Sequence, residues 1–237
     1  VDAADYFDIE KPIEVPVFVD LPPAVRARYR EMEKEMFTKI EDRTVEAFNA
    51  AARTQKCLQL CNGAVYVDPL VQGEEHKGPK EWREVHDVKV QALESIVSEC
   101  NGSPLLVAYH FKSDLARLRK AFPQARVLSD PAQLREFKTG RYEVGLGHPG
   151  SMGHGTDGLQ EHCHRIAFFG HWWDMDQRDQ IIGRIGPVRQ LQAGHKRPVY
   201  IYDVIARNTV DEDVIARHAT KRGVQDLLLE SMKRRKQ

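Results

Sequence analysis

The sequence predicts an α/β fold in which helices flank a parallel sheet. Two observations predict this fold class and its extent along the chain. From residue 86 onward, five short apolar runs alternate with segments of helical periodicity, an order typical of parallel sheets whose strands are joined by helices. Before residue 86 the chain is instead charged and rich in helical pattern. We therefore expect residues 1–85 to form an N-terminal connector and helical segment, and residues 86–237 to form the α/β domain with a long C-terminal helix.

The composition is that of a globular protein, with 41% hydrophobic and 30% charged residues. No apolar run approaches the roughly 18 residues that a membrane span requires, and no signal-peptide pattern opens the chain. Four cysteines are too few for a disulfide scaffold, so we expect a cytoplasmic protein without a membrane partner. Basic and acidic residues number 35 each, which argues against nucleic-acid binding by bulk charge but allows a local basic groove.

The N-terminal part is predicted to contain one extended segment and two helices. Apolar and polar residues alternate over 13–19, which predicts a strand broken at Pro16. The pair Pro22-Pro23 begins a helix that continues to about residue 52. A second helix covers 53–60 and ends at Asn62-Gly63. The polar segment 69–79 is predicted to be a loop without a phosphate-binding motif, because Pro79 stands where that motif needs lysine.

The α/β part follows as alternating strands and helices. Its strands are predicted at 105–109, 125–128, 143–147, 165–169 and 198–205, and its first helix at 87–99. Ser113 is the predicted cap of the next helix, and Asp130-Pro131 begins the one after. Thr209 and Glu212 have the spacing of a capping box, which begins a C-terminal helix of about 25 residues.

Two clusters of ligand-type residues follow strands of this sheet. Four glycines lie among polar residues directly after the strand 143–147, and glycine lets backbone N–H groups approach an anion closely. One strand later, Gln180 and Arg184 are four residues apart and share one face of a helix. Arginine offers a rigid, charged fork that suits phosphate. Ligands of parallel sheets bind at the carboxyl ends of strands, so we expect both clusters at that edge.

In this order the two clusters resemble motifs V and VI of superfamily 2 helicases. The closer resemblance is to the chromatin-remodeller-type (sucrose-non-fermenting) branch in the form seen in phage and prophage genomes. It spans nearly the whole chain: residues 53–59 look like the helical segment that links the two lobes, His86-Asp87-x-Lys89 like the entry to lobe two, and 106–113 like motif IV. The resemblance implies the C-terminal RecA-like lobe of an ATP-dependent DNA helicase or translocase.

The resemblance also implies roles for single residues. Arg184 and Arg189 would be catalytic, facing the ATP phosphates. Nucleotide contacts would come from Gly155, Asp157, Gln180 and Gly183, with Asp157 near the ribose. Nucleic-acid contacts would come from Tyr109, His110, Lys112, Ser151, Gly153 and His154. The partners would be single- or double-stranded DNA and an N-terminal RecA-like lobe of the same polypeptide, which would mainly hold ATP and Mg²⁺.

This sequence departs from the family pattern at two places, at Pro187 and in the loop between Gly155 and Leu159, which carries one residue more than usual. Pro187 stands where the family usually has a second arginine, so Arg189 is the candidate for that role. The chain has no Gly-x-x-x-x-Gly-Lys-Ser/Thr motif and no Asp-Glu-x-x box after a strand, so we expect it to hydrolyse ATP negligibly by itself. It also begins at Val1, which suggests a fragment of a longer protein.

Two other function classes stay open. The first is a non-enzymatic, degenerate RecA-like lobe that binds DNA or a partner protein, and Pro187 is its best support. The second is a metal-dependent hydrolase, because His162-Cys163-His164 lies in a histidine-rich stretch. That triplet lacks a second Cys/His pair at zinc-site spacing, so no metal site is predicted.

Overall fold

The computed structural model describes residues 10–41, 54–66, 81–152 and 156–220. Its strands are β1 (Ile13–Val19), β2 (Ala64–Tyr66), β3 (Trp82–Glu84), β4 (Leu105–Ala108), β5 (Arg126–Val127), β6 (Val144–Gly147), β7 (Arg165–Phe168) and β8 (Tyr200–Ala206). Its α-helices are α1 (Pro23–Glu41), α2 (Gln55–Asn62), α3 (Val88–Glu99), α4 (Lys112–Ala121), α5 (Pro131–Phe137), α6 (Met175–Ile185), α7 (Pro187–Gln192) and α8 (Val210–Thr220). None of these helices is long and apolar enough to cross a membrane.

The chain divides into two compact units. We call Val90–Ile205, with the N-terminal segment up to Phe18, the sheet unit. We call Val19–Lys89, with the chain from Ala206, the helical unit. The boundary predicted at residue 85 stays a prediction.

The sheet unit is built on one six-stranded sheet with the order β1-β8-β7-β4-β6-β5. The pairs β4/β6, β4/β7, β5/β6 and β7/β8 are all parallel. The predicted parallel α/β sheet is thereby confirmed, strand by strand. Sequence analysis did not predict that β1 joins the same sheet, where the backbone N–H of Ile13 donates to the carbonyl of Val199 at 2.8 Å. Pro16 does not break that strand.

Apolar side chains of the strands and helices form the core of the sheet unit. One cluster of buried residues contains Leu106, Ala108, Leu128, Phe137, Met152, Leu159, Cys163, Ile166, Phe168, Trp172, Ile181, Ile185 and Ile201. The central strands β4 and β6 are buried along their whole length, as expected for strands covered on both faces. The polar loops at their carboxyl ends are therefore held on a rigid scaffold.

The caps of two helices show how local sequence sets these elements. Asp130 caps α5 as predicted, because its carboxylate accepts the backbone N–H groups of Ala132 and Gln133. The predicted cap at Ser113 is wrong. Ser113 lies inside α4, and the carboxylate of Asp114 accepts the backbone N–H of Phe111 at 2.9 Å instead.

The helical unit contains α1, α2, α8 and an antiparallel pair formed by β2 and β3. Sequence analysis did not predict that pair. As predicted, α2 ends at Asn62, and Gly63 adopts a φ of 99° in the left-handed region, which favours glycine. Tyr29 is fully buried, and its hydroxyl donates to Glu33 at 2.8 Å while accepting the backbone N–H of Val210 at 2.7 Å.

Candidate functional site

The carboxyl edge of the sheet unit gathers several of the predicted site residues. Strands β7, β4 and β6 are neighbours in that order, so the loops after them emerge side by side. Tyr109 and His110 follow β4, His148 begins the loop after β6, and His171-Trp172 follows β7. Gly153, His154 and Gly155, which belong to the loop after β6, lie outside the described residues.

The two predicted catalytic arginines meet at one carboxylate. Arg184 Nη1 lies 3.4 Å from Oδ1 of Asp157, and Arg189 Nη2 lies 3.3 Å from the same oxygen. The Asp157 side chain is 67% exposed, whereas that of Arg184 is only 16% exposed. Exposed ion pairs contribute at most about 1 kcal/mol, so this contact is weak enough for a more highly charged anion to replace it. The geometry therefore fits a phosphate oxygen between the two guanidinium groups.

A break between two helices explains how Arg189 reaches Asp157. Helix α6 ends at Ile185, and Pro187 begins α7, where the absent N–H of proline costs nothing. A Cβ added to Gly186 would lie 2.9 Å from the carbonyl oxygen of Ile182, so this close approach needs glycine. Arg189 therefore lies on a separate helix from Arg184, and both side chains point to Asp157.

A buried ion pair anchors α6. Arg178 donates to both carboxylate oxygens of Asp203, at 2.8 and 2.9 Å, and its guanidinium lies 4.0 Å from the centroid of the Phe168 ring. Both charged residues are buried, and such two-point Arg–carboxylate pairs fix orientation as well as distance. The sequence does not predict this pair, because nothing in the chain near Asp203 singles it out.

A buried amide holds α7. Gln190 is 1% exposed, and its Nε2 donates to the carbonyls of Cys163 and Ile185, each at 2.9 Å. Its Oε1 accepts from Arg197 Nε at 2.8 Å. The helix that carries Arg189 is thus fixed next to α6.

Of the other predicted nucleotide residues, the two that the structure describes are on the surface. Gln180 and Gly183 are both exposed on α6, the helix that carries Arg184. A Cβ added to Gly183 would meet nothing within 4 Å, so the protein itself does not require glycine there. Gly155 lies outside the described residues.

The predicted nucleic-acid residues of the β4 loop differ in exposure. Lys112 is exposed at the start of α4, whereas Tyr109 is only 5% exposed. Burial, together with Asp114, raises the pKa of the Tyr109 phenol. In the loop after β6, Ser151 is half-buried and its hydroxyl donates to the carbonyl of His148 at 2.9 Å.

Three rings stack across the three loops. His110 lies between His148 and Trp172, with centroid distances of 5.9 and 5.5 Å and interplanar angles of 11° and 15°. Burial, and then the neighbouring His148, lowers the pKa of His110 to about 4. His110 is therefore neutral near pH 7. Trp172 and Trp173 are 3% and 7% exposed, so they pack inside the unit.

Comparison with solved structures identifies the fold. The SWI2/SNF2 ATPase core of Sulfolobus solfataricus, solved in complex with double-stranded DNA, matches with a TM-score of 0.57 and 18% identity over 89% of this chain and 44% of that chain. The C-terminal part of the Fun30 ATPase domain matches with a TM-score of 0.60 and 10% identity over 95% of this chain and 99% of that chain. The chain has the RecA-like α/β fold of these ATPase domains. The helicase domain of Pyrococcus furiosus Hef also matches, with a TM-score of 0.53 and 14% identity over 90% of this chain and 58% of that chain.

A phage protein shares sequence with this chain. Protein p41 of Acyrthosiphon pisum secondary endosymbiont phage 1 is 49% identical over 236 residues, which are 99% of this chain and 49% of the phage protein. The chain thus spans about half the length of this curated relative. No protein-family model matches the chain.

The histidine-rich stretch of the lobe shows no metal cluster in its described part. Within the described ranges, no three His, Cys, Asp or Glu side chains group closely enough to hold a metal ion. The thiol of Cys163 instead donates to the carbonyls of Pro104 and Arg165, at 3.4 and 3.3 Å. Burial raises its pKa to about 11, so the thiol stays protonated.

Proposed function

We propose that the chain supplies the C-terminal half of the ATP site and part of the DNA groove of an ATP-dependent DNA helicase or translocase. The convergence of Arg184 and Arg189 on one oxygen of Asp157 carries this proposal. Two guanidinium groups that already hold one anionic oxygen are arranged to hold an oxygen of a phosphate. The lengths of p41 and of the Sulfolobus solfataricus ATPase core support a second lobe in the complete protein.

In this proposal the arginines stabilise the charge that develops on the transferred phosphoryl group. ATP would lie between the two lobes, and Mg²⁺, held mainly by the N-terminal lobe, would neutralise charge on the β- and γ-phosphates. Asp157 would release the arginines as the nucleotide arrives, and its carboxylate would then be available to the ribose. Gln180 and Gly183 lie on the same helix as Arg184 and would line the nucleotide.

The DNA contacts in this proposal come from the loops after β4 and β6. Lys112, His110 and Ser151 lie close to the ends of adjacent strands, and the exposed ammonium of Lys112 can contact a phosphate. Such contacts are independent of DNA sequence and weaken as salt increases. Repeated closing and opening of the lobes would move these loops along the DNA backbone.

Arginine substitutions in the complete, two-lobed protein test the ATP site. Because an arginine directed at the transferred phosphate contributes about three to five orders of magnitude in rate, Arg184→Ala should abolish most DNA-stimulated ATP turnover. Arg189→Ala should lower it as well, while both variants keep DNA affinity. Arg135→Ala, on the exposed side of α5, is the matched control. Unchanged turnover in both site variants would contradict the proposal.

The same ATP-turnover assay distinguishes the proposed half of an ATPase from the non-enzymatic alternative. The 237-residue chain alone should show no DNA-stimulated ATPase, because the proposed site needs the second lobe. A complete protein that also shows none, while it binds DNA or a partner, would make the lobe a binding module.

A further inference from the structure

His148 connects two loops that are far apart in sequence. It is the first residue after β6, and its ring Nε2 lies 3.1 Å from the carbonyl oxygen of His110 in the loop after β4. Its ring Nδ1 lies 3.1 Å from the backbone nitrogen of Gly150, in the 3-10 turn Pro149–Ser151. We propose that His148 is a positioning residue that holds the two proposed DNA-contacting loops in one fixed arrangement. This inference rests on the proposed function.

The hydrogen bonds define the state of the ring. The backbone N–H of Gly150 can only donate, so Nδ1 of His148 must be unprotonated. The proton of the neutral ring is then on Nε2, which donates to the carbonyl of His110. Both nitrogens are thus used, one within its own loop and one across to the neighbouring loop. No other side-chain type places a donor and an acceptor at these two positions on one rigid ring.

The packing around the ring supports the same role. His148 stacks on His110, which stacks on Trp172 after β7, and the Tyr109 ring lies 5.5 Å from that of His148. The carbonyl of His148 also accepts from the hydroxyl of Ser151. A shift of this one residue would therefore displace the proposed DNA contacts at His110 and Ser151 together. Displacements of about 1 Å can cost two orders of magnitude where positioning matters.

Two near-isosteric substitutions separate the link from the local turn. His148→Asn keeps an acceptor close to the Nδ1 position, because asparagine forms this type of turn with the residue two positions on, but it cannot reach His110. His148→Gln places a donor near the Nε2 position but loses the Nδ1 acceptor. If His148 only shaped its own turn, His148→Asn would show the amide exchange and DNA affinity of the wild type. We expect it to show those of His148→Ala.

The first readout uses the 237-residue chain without DNA. Side-chain nitrogen NMR of His148 should show Nδ1 unprotonated and Nε2 protonated. Amide hydrogen exchange in residues 109–112 should become about tenfold faster in His148→Asn, because the loop loses its fixed neighbour. His162→Asn, at an exposed histidine before β7, is the matched control and should change nothing. The opposite tautomer, or unchanged exchange in His148→Asn, would overturn the link.

The second readout is affinity for a short DNA duplex. His148→Asn and His148→Ala should both bind about tenfold more weakly than the wild type, with circular dichroism unchanged. Faster exchange with unchanged DNA affinity would overturn the positioning role. A wild-type chain that binds no DNA would instead overturn the DNA part of the proposed function, and the exchange data would still decide whether His148 links the loops.

Discussion

At the residue scale, His110 shows how burial sets the charge of the proposed DNA site. Its ring lies between two other rings, and burial lowers its pKa from 6.5 to about 4. The unfolded chain therefore binds a proton at His110 between these two pH values, whereas the folded chain does not. Stability from this group is fully present above pH 6.5 and is lost as the pH falls towards 4.

This shift predicts a pH dependence of stability. Acidification from pH 7 to pH 4.5 should lower the free energy of unfolding through His110 by up to about 3 kcal/mol. Urea denaturation of the wild type and of His110→Asn at both pH values isolates the contribution of His110 to the free energy of unfolding, because titration of the carboxyl groups is common to both proteins. His162→Asn should keep the wild-type dependence. An equal loss in wild type and His110→Asn would contradict the prediction.

Gly183 is a residue whose identity the lobe itself does not explain. It lies inside α6, where alanine is more favourable than glycine by about 0.5–1 kcal/mol, and a Cβ there meets nothing within 4 Å. We therefore expect Gly183→Ala to raise the free energy of unfolding. If the nucleotide lies against this backbone as proposed, ATP turnover of the complete protein should fall by about tenfold or more.

Measuring stability and turnover on the same preparation is decisive for Gly183. A more stable but slower variant assigns the space beside Gly183 to the nucleotide. A more stable variant with wild-type turnover would remove Gly183 from the predicted nucleotide residues.

At the element scale, one buried ion pair lies where α2 ends and α8 begins. Lys89 and Asp211 are both fully buried, and Lys89 Nζ lies 2.6 Å from Asp211 Oδ2 and 3.0 Å from Asn62 Oδ1. Asp211 also accepts the backbone N–H of Ala206 at 3.0 Å. The ends of α2 and the starts of α3 and α8 thus share one charge network. A helical pattern in sequence gives no sign of such a network.

Breaking the Lys89–Asp211 pair should lower the free energy of unfolding substantially. Lys89→Met leaves the Asp211 carboxylate buried without its cation, which typically costs about 3–5 kcal/mol. Asp20→Asn is the matched control, because Asp20 lies 3.9 Å from Arg207 in an exposed pair that contributes at most about 1 kcal/mol. Urea denaturation of both variants measures the difference. Similar small losses in the two variants would show that the buried pair does not hold the unit together.

At the scale of the whole molecule, the balanced net charge makes the proposed DNA affinity a local property. With 35 basic and 35 acidic residues, the chain has no bulk attraction for phosphate, so single lysines at the carboxyl edge should dominate the salt dependence. Lys112→Gln should weaken binding to all DNA sequences equally and reduce the slope of log affinity against log salt by about 1.

Lys120→Gln is the control for Lys112, because both lysines are exposed and lie at opposite ends of α4. Fluorescence anisotropy over a salt series measures both variants. Equal slopes for Lys112→Gln and the wild type would place the DNA phosphates elsewhere on the lobe.

The sequence by itself determined the parallel α/β class, the five strands of the α/β part and several element ends. These features follow from local patterns: apolar runs, the Asp130-Pro131 start of α5 and the glycine that ends α2. The sequence also indicated that the two ligand-type clusters follow strands, and parallel topology then brings such loops to one edge. Local interactions within a few residues are enough for each of these conclusions.

Only the tertiary structure decided which side chains meet. Arg184 lies 27 positions from Asp157, and His148 lies 38 positions from the carbonyl that it contacts. The edge position of β1, the network of Lys89 and the role of Asp114 in place of Ser113 were also decided there. Contacts of this kind depend on how helices and strands pack in three dimensions, and no periodicity along the chain encodes a pairing between two distant polar groups.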